Sequence, residues 1–218
     1  TVATKVGRTP ELFPNGYTRD KVRAHIEAST RRLGVETMDL IQLHCIPPEV
    51  LRDGDILTWL EDFRDEGLIR AFGASVETLE EACFAVRHPG ITSLQVIFNL
   101  FRQNAIDTLF PLAQQNDVGI VVRLPLASGV LAGKMHKQQT FAETDHRHYN
   151  RHGEAFDVGE TFAGLDYETG LDFVERLRPL VPEGATMAQM ALRWILMAEG
   201  VTAAIPGAKT PDQARANA

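Results

Sequence analysis

The sequence predicts an α/β fold built from successive βα units, a (β/α)8 TIM barrel of which six strands lie in this chain. Three observations predict it. Short apolar, β-branched runs alternate with amphipathic helical stretches along the chain, the pattern of a parallel sheet with crossover helices. No G-x-G-x-x-G follows the first strand, and no break marks a change between two halves of an open sheet. Each run also ends in a polar residue: Lys5, His44, Ser75, Gln95, Arg123 and the Pro-Gly-Ala-Lys after the last. Barrel chemistry sits at the C-terminal ends of the strands, so these are the residues to weigh.

The elements follow in order. "VATKV" is the first strand, and a Pro- and Gly-rich loop leads to Thr18, an N-cap before Val22, Ile26 and Leu33 at helical spacing. Gly34 stops that helix. "DLIQLH" is the second strand, and the next helix carries Ile56, Leu57, Leu60 and Phe63 on one face up to a stop at Gly67. "IRAFGAS", a helix with Leu79, Ala82, Cys83 and Val86, the strand "SLQVIF", a helix with Ile106, Leu109, Phe110 and Ala113, and the strand "VGIVVR" continue the alternation. From Ser128 to Asp166 periodicity fades, and residues 134–166 read as a long loop insert of the kind that is usually functional or mobile. Two helices follow, the second capped by Thr186, then the strand in "VTAAIPGAK" and a last helix capped by Thr210. The whole of 1–218 reads as one domain.

Composition narrows the function. With 44% hydrophobic and 23% charged residues, the chain can bury a substantial core. Its 22 Lys and Arg against 29 Asp and Glu leave no basic stripe for nucleic acid. No apolar run approaches the roughly 18 residues of a membrane span, so a soluble cytoplasmic protein is expected. Cys45 and Cys83 read as buried thiols rather than a disulfide. The chain opens inside a core strand without a methionine, so a preceding segment is expected.

At this point the motifs resemble a known family, the aldo-keto reductases, barrels that reduce carbonyls with NADPH. "ATK" resembles the strand with the active-site lysine, and "STRRLGVETMDLIQLH" the approach to the strand with the active-site histidine. "IRAFGAS" is similar to the strand whose serine holds the nicotinamide amide, and "SLQVIFNLF" to the one with its glutamine partner. "RLPLASGVLAGK" resembles the exit from the seventh strand, and "IPGAKTPDQARAN" the segment around the adenosine phosphate. The insert "DHRHYNRHGEAFDVGETFAG" looks closest to a bacterial branch. On this resemblance the chain holds strands three to eight, and the two strands missing from the count are the ones that precede Lys5.

The resemblance implies an NADPH-dependent oxidoreductase acting on an aldehyde, ketone or sugar-like carbonyl, with NAD as a possible cofactor. Lys5 and His44 match the catalytic lysine and histidine. The tyrosine acid and the aspartate that pairs with the lysine precede the third strand in the family, and activity requires them. Ser75 and Gln95 match the residues that hold the nicotinamide, although Val76 replaces the usual asparagine. Arg123 stands where an aromatic ring often stacks on the nicotinamide. Leu126, Ser128 and Gly129 would line the pyrophosphate. Gly207, Ala208, Lys209 and Thr210 lead into a helix N-terminus suited to a 2′-phosphate. Gln213 replaces a common arginine, leaving Lys209 as the nearest cation, and Asn217 matches the asparagine that meets adenine.

Other readings stand beside this one. The same barrel could be a non-catalytic cofactor-binding scaffold or regulatory subunit. His146, His148 and His152 with Asp145 and Glu154 raise a metal-dependent hydrolase, but their spacing fits no helix face, and solvated or loop-ordering histidines with no metal are expected. "GVLAGK" is one residue short of a phosphate loop and is followed by Met135. Trp59 and Trp194 read as packing residues.

Overall fold

The computed structural model describes residues 1–218. Its six strands are β1 (Ala3–Val6), β2 (Met38–His44), β3 (Ile69–Ser75), β4 (Ile91–Ile97), β5 (Gly119–Arg123) and β6 (Val201–Ala204), ordered in the sheet as they are in the chain. The pairs β1–β2, β2–β3 and β3–β4 are parallel, the topology of consecutive strands of a (β/α)8 barrel. The chain divides into two compact units, Thr1–Val96 with Thr108–Ile120, and Ile97–Asp107 with Val121–Ala218. No helix is long and apolar enough to cross a membrane.

In the first unit, α1 (Arg19–Leu33) starts at Thr18, whose side chain accepts from Lys21 N, and stops at Gly34 in the left-handed region. It buries Val22 and Ile26, while Leu33 in the last turn is 48% exposed, off the expected apolar face. A short helix not expected from periodicity, α2 (Pro48–Asp53), precedes α3 (Ile56–Asp65), which buries the four residues its spacing marks. A reciprocal box between Thr78 and Glu81 caps α4 (Leu79–Ala85). Cys83 on that helix is only partly buried, so the expectation of two buried thiols holds for Cys45 alone. The next helix, α5 (Leu109–Gln115), buries Leu109, Phe110 and Ala113; Ile106 lies in the turn before it, 37% exposed, rather than on its apolar face.

The second unit has its own core. Phe162, Tyr167, Leu171 and Val174 pack with Val130, Leu131, Met187 and Ala191. Of these, Tyr167, Leu171 and Val174 come from α7 (Tyr167–Leu177), and Met187 and Ala191 from α8 (Met187–Leu196), which Thr186 caps. Trp194 stacks on Phe98 at 5.2 Å between centroids, the packing role its helix pattern suggests. The final helix, α9 (Pro211–Asn217), begins at its expected cap, Thr210.

Residues 134–166 are more ordered than their sequence suggests. Asp145 caps a one-turn helix, α6 (His146–Tyr149), and two 3-10 turns follow at 158–160 and 162–164. The segment is pinned by Asn150, which is fully buried. Its Oδ1 accepts from Ala155 N at 2.8 Å and Phe156 N at 2.9 Å, and its Nδ2 donates to Thr161 Oγ1 at 3.3 Å. Buried amide groups that lose their acceptor incur the full desolvation cost. Asn150→Ala should therefore lower stability by about 1–3 kcal/mol in urea unfolding, and limited proteolysis should cut first between 142 and 160. Unchanged stability and cleavage would show that the insert is held by its apolar contacts instead.

Candidate active site

The first part of the site grows from the ends of β1 to β4. Residues two apart in a strand share a face, and parallel register then decides which neighbours meet. His44 is in register with Ser75, and Ser75 with Gln95. One step back, Lys5 is in register with Gln42, Gln42 with Gly73, and Gly73 with Ser93. Two rows result, with His44, Ser75 and Gln95 at the strand ends and Lys5, Gln42, Gly73 and Ser93 beneath them. The structure thus brings together the residues expected from these four strands. Lys5 is exposed on the edge strand, and His44 is half-buried.

A buried polar chain links the rows. Ser75 Oγ donates to Gln95 Oε1 at 3.4 Å, Gln95 Nε2 to Gln42 Oε1 at 3.0 Å, and Gln42 Nε2 to Ser93 Oγ at 3.2 Å. Gln42 and Ser93 are absent from the residues that the sequence marks out. The available signal was a glutamine inside an apolar strand, two residues before His44 and therefore on its face. Gly73 makes the crossing possible, because a Cβ there would lie 2.1 Å from Ser93 O and 2.5 Å from Ser93 Oγ. The chain leaves β2 through Cys45 in the left-handed region, with Cys45 N donating to Ser75 O at 2.9 Å.

Tyr17 is the first unit's only tyrosine. Its hydroxyl donates to Gly7 O at 2.7 Å, just beyond β1. Burial pushes its pKa up to about 12, against the pull of Arg8 and with the help of Glu49. A phenol held in this way is a poor proton donor.

The second unit holds a cavity of about 980 Å³. Leu126, Ser128 and Gly129 line one side, and Gly207, Ala208, Lys209, Gln213 and Asn217 also line it. Two expected residues are placed differently. Thr210 is not on the wall; its side chain accepts from Gln213 N at 3.2 Å as the cap of α9. Lys209 N is likewise taken by Gln213 Oε1 at 2.7 Å, and the exposed Lys209 side chain puts a cation at this end. Arg123 is buried in an ion pair with Glu160 rather than exposed for stacking.

The insert also reaches the cavity, through His146, Arg147 and Glu160 among others. Arg147 and Glu160 carry no mark in the sequence, whereas His146 belongs to the histidine cluster; α6 takes in His146 and His148, two residues apart and so not on one helix face, and leaves His152 outside it. Ser128 Oγ donates its one proton to Glu160 O at 3.1 Å, so His146 Nε2, 3.0 Å from the same oxygen, carries the proton between them. Arg147 is fixed by Asp145, with Nε to Oδ1 at 2.9 Å and Nη2 to Oδ2 at 2.5 Å, and stacks on Phe141 at 4.5 Å. That pairing holds the Asp145 carboxyl well below the usual range. Burial, aided by Arg147, lowers the pKa of His146 despite Asp145 and Glu160 nearby.

Two titrations follow. Ultraviolet titration should show one of the three tyrosines ionising at about 12, and Tyr17→Phe should remove that step; loss of a step near 10 instead would show Tyr17 to be solvated. His146 should titrate below its ordinary 6.5 in NMR. Because the folded state disfavours its charged form, its contribution is intact above pH 6.5 and is lost as pH falls through the lower folded value. A midpoint above 6.5 would mean that Asp145 and Glu160 outweigh burial.

Comparison with known proteins identifies the family. The aldo/keto reductase family model matches residues 1–218. The aldo-keto reductase YhdN of Bacillus subtilis (strain 168) is 28% identical over 218 residues, covering 99% of this chain and 63% of its own length. The NADH-specific methylglyoxal reductase of Escherichia coli (strain K12) is 24% identical over 210 residues, 95% of this chain and 61% of its own. Among solved structures, the glycerol dehydrogenase from Gluconobacter oxydans superposes with a TM-score of 0.75 at 27% identity, covering 98% of this chain and 64% of that one. The chain thus spans a little under two thirds of the length of these relatives. It belongs to the aldo/keto reductase family.

Proposed function

We propose that residues 1–218 form one domain, with 134–166 as its insert, of an NAD(P)H-dependent oxidoreductase that interconverts an aldehyde, ketone or sugar-like carbonyl and its alcohol. The observation that carries this reading is the row of His44, Ser75 and Gln95 on adjacent strands, with Lys5 one row back. The cavity of the second unit, about 980 Å³, lies at the upper end of the sizes usual for ligand sites, about 300–1,000 Å³, and suits part of a dinucleotide. Methylglyoxal and glycerol in the names of two relatives favour a small polar substrate. A cytoplasmic location fits a cofactor of this kind.

Each residue then has a task. The bound cofactor supplies hydride. His44 donates to or orients the carbonyl oxygen, where negative charge develops, and Lys5 provides a positive field that eases proton release from a neighbouring phenol. Ser75 and Gln95 hold the nicotinamide carboxamide. Arg123, at the position that meets the nicotinamide in the family, is held here by Glu160. Leu126, Ser128 and Gly129 follow the pyrophosphate, Gly207, Ala208 and Lys209 meet a 2′-phosphate, Thr210 and Gln213 shape that turn, and Asn217 meets adenine. Lys209 favours NADPH over NADH, although one relative is NADH-specific by name.

Fluorescence titration with NADPH and NADH, and NADPH consumption with methylglyoxal and glyceraldehyde, test the reading. Lys209→Ala should weaken NADPH about tenfold and leave NADH within about twofold. His44→Ala should leave cofactor affinity unchanged and lower turnover about 100-fold or more. Binding without turnover in a protein that carries the tyrosine and aspartate ahead of Lys5 would support the scaffold reading, and no binding of either cofactor would sink both.

A further inference from the structure

We infer that Gln42 is a positioning residue that sets the hydrogen-bond polarity of Ser75 and Gln95, so that this pair selects a ligand bearing a primary carboxamide. The inference rests on the cofactor reading above. A serine hydroxyl has one proton, and Ser75 gives it to Gln95 Oε1 at 3.4 Å. Ser75 Oγ, which also lies 3.8 Å from Cys45 Sγ, is thereby left without a proton to give, so it faces any ligand as an acceptor. Gln95 can accept that proton because its amide is oriented from behind, with Nε2 donating to Gln42 Oε1 at 3.0 Å. Gln42 is oriented in turn by its own Nε2 donating to Ser93 Oγ at 3.2 Å.

All four side chains are at least nine-tenths buried, so water does not readily exchange for these partners. The second proton of Gln95 Nε2 remains available. Together the pair offers one acceptor, Ser75 Oγ, and one donor, Gln95 Nε2, the complement of a carboxamide's N–H and C=O. Without Gln42 the Gln95 amide is free to turn over, and the fixed order of acceptor at Ser75 and donor at Gln95 that a carboxamide matches in one orientation is lost, so its advantage over a methyl ketone shrinks.

The test uses three probes measured by fluorescence or calorimetric titration: NADPH, its 3-acetylpyridine analogue, and 2′-phospho-ADP-ribose, which has no pyridine ring. The unaltered protein should prefer NADPH to the analogue by about tenfold. Gln42→Met, close in shape but unable to hydrogen-bond, should reduce that preference to about twofold and leave 2′-phospho-ADP-ribose within about twofold. Ser93→Ala, a milder change at the far end of the chain, should give an intermediate preference. Gln42→Glu, which keeps an acceptor for Gln95 Nε2, should restore most of it. In side-chain NMR of the protein without ligand, the slow-exchanging Gln95 amide protons should lose protection in Gln42→Met. An unchanged preference in Gln42→Met, or equal loss for all three probes, overturns the inference and leaves the cofactor reading standing. Failure of the unaltered protein to bind any probe overturns the cofactor reading and this inference with it.

Discussion

A polar chain can cross a buried parallel sheet only where the intervening strand gives up its side chain, and Gly73 is that place in β3. The strands of such sheets are usually apolar on both faces, because an unpaired amide there costs on the order of 1–3 kcal/mol. Gln42 escapes that cost by reaching over Gly73 to Ser93, and Gln95 escapes it by donating to Gln42. Neither partner is satisfied alone, so Gln42, Ser93, Gln95 and Ser75 are coupled. The row above them inherits its geometry, since Ser75 stands in register with both His44 and Gln95.

The second unit shows the same economy with charge. Burying Arg123 carries a desolvation cost of several kcal/mol, and close pairing with the partly buried Glu160 offsets it. Glu160 is useful twice, because its carboxylate meets Arg123 while its carbonyl receives Ser128. The insert is therefore attached to the exit of β5 at both ends of one residue. His146 joins the same oxygen, and its neutral form suits a position where burial outweighs two nearby carboxylates. The Asp145 carboxylate is matched chiefly by Arg147, whose two nitrogens grip it as a fork.

How far the sequence reveals this depends on the range of the interaction. Strands and caps are local, and Thr18, Gly34, Thr78, Thr186 and Thr210 flank their helices within a few residues of where apolar periodicity starts or stops. The strand-end residues His44, Ser75 and Gln95 were legible because a parallel register aligns strand ends. Gln42 was not, because its partners lie 51 and 53 residues away and a lone glutamine in a strand carries no local mark. The insert failed for a similar reason: its order comes from Asn150 and Asp145 holding backbone amides, which leaves no hydrophobic period to read. Leu33 and Ile106 show the opposite error, where correct spacing at an element's end does not guarantee burial.

Electrostatics limit what Lys5 can do in the role proposed for it. A cation about 4 Å from a phenolate is worth about 1 kcal/mol in water and about 4 kcal/mol where the effective dielectric falls to about 20. At about 1.4 kcal/mol per unit, these figures lower a phenol's pKa by less than about one unit or by about three. Lys5 is exposed on β1, so in the first unit it belongs to the weaker regime. Tyr17 cannot exploit it, because burial raises that phenol and Gly7 O engages its proton. A phenol gains the larger shift from Lys5 only where water is excluded from the ammonium. Under the role proposed for Lys5, the covering of the ammonium therefore matters as much as its presence for how far it can lower a phenol's pKa.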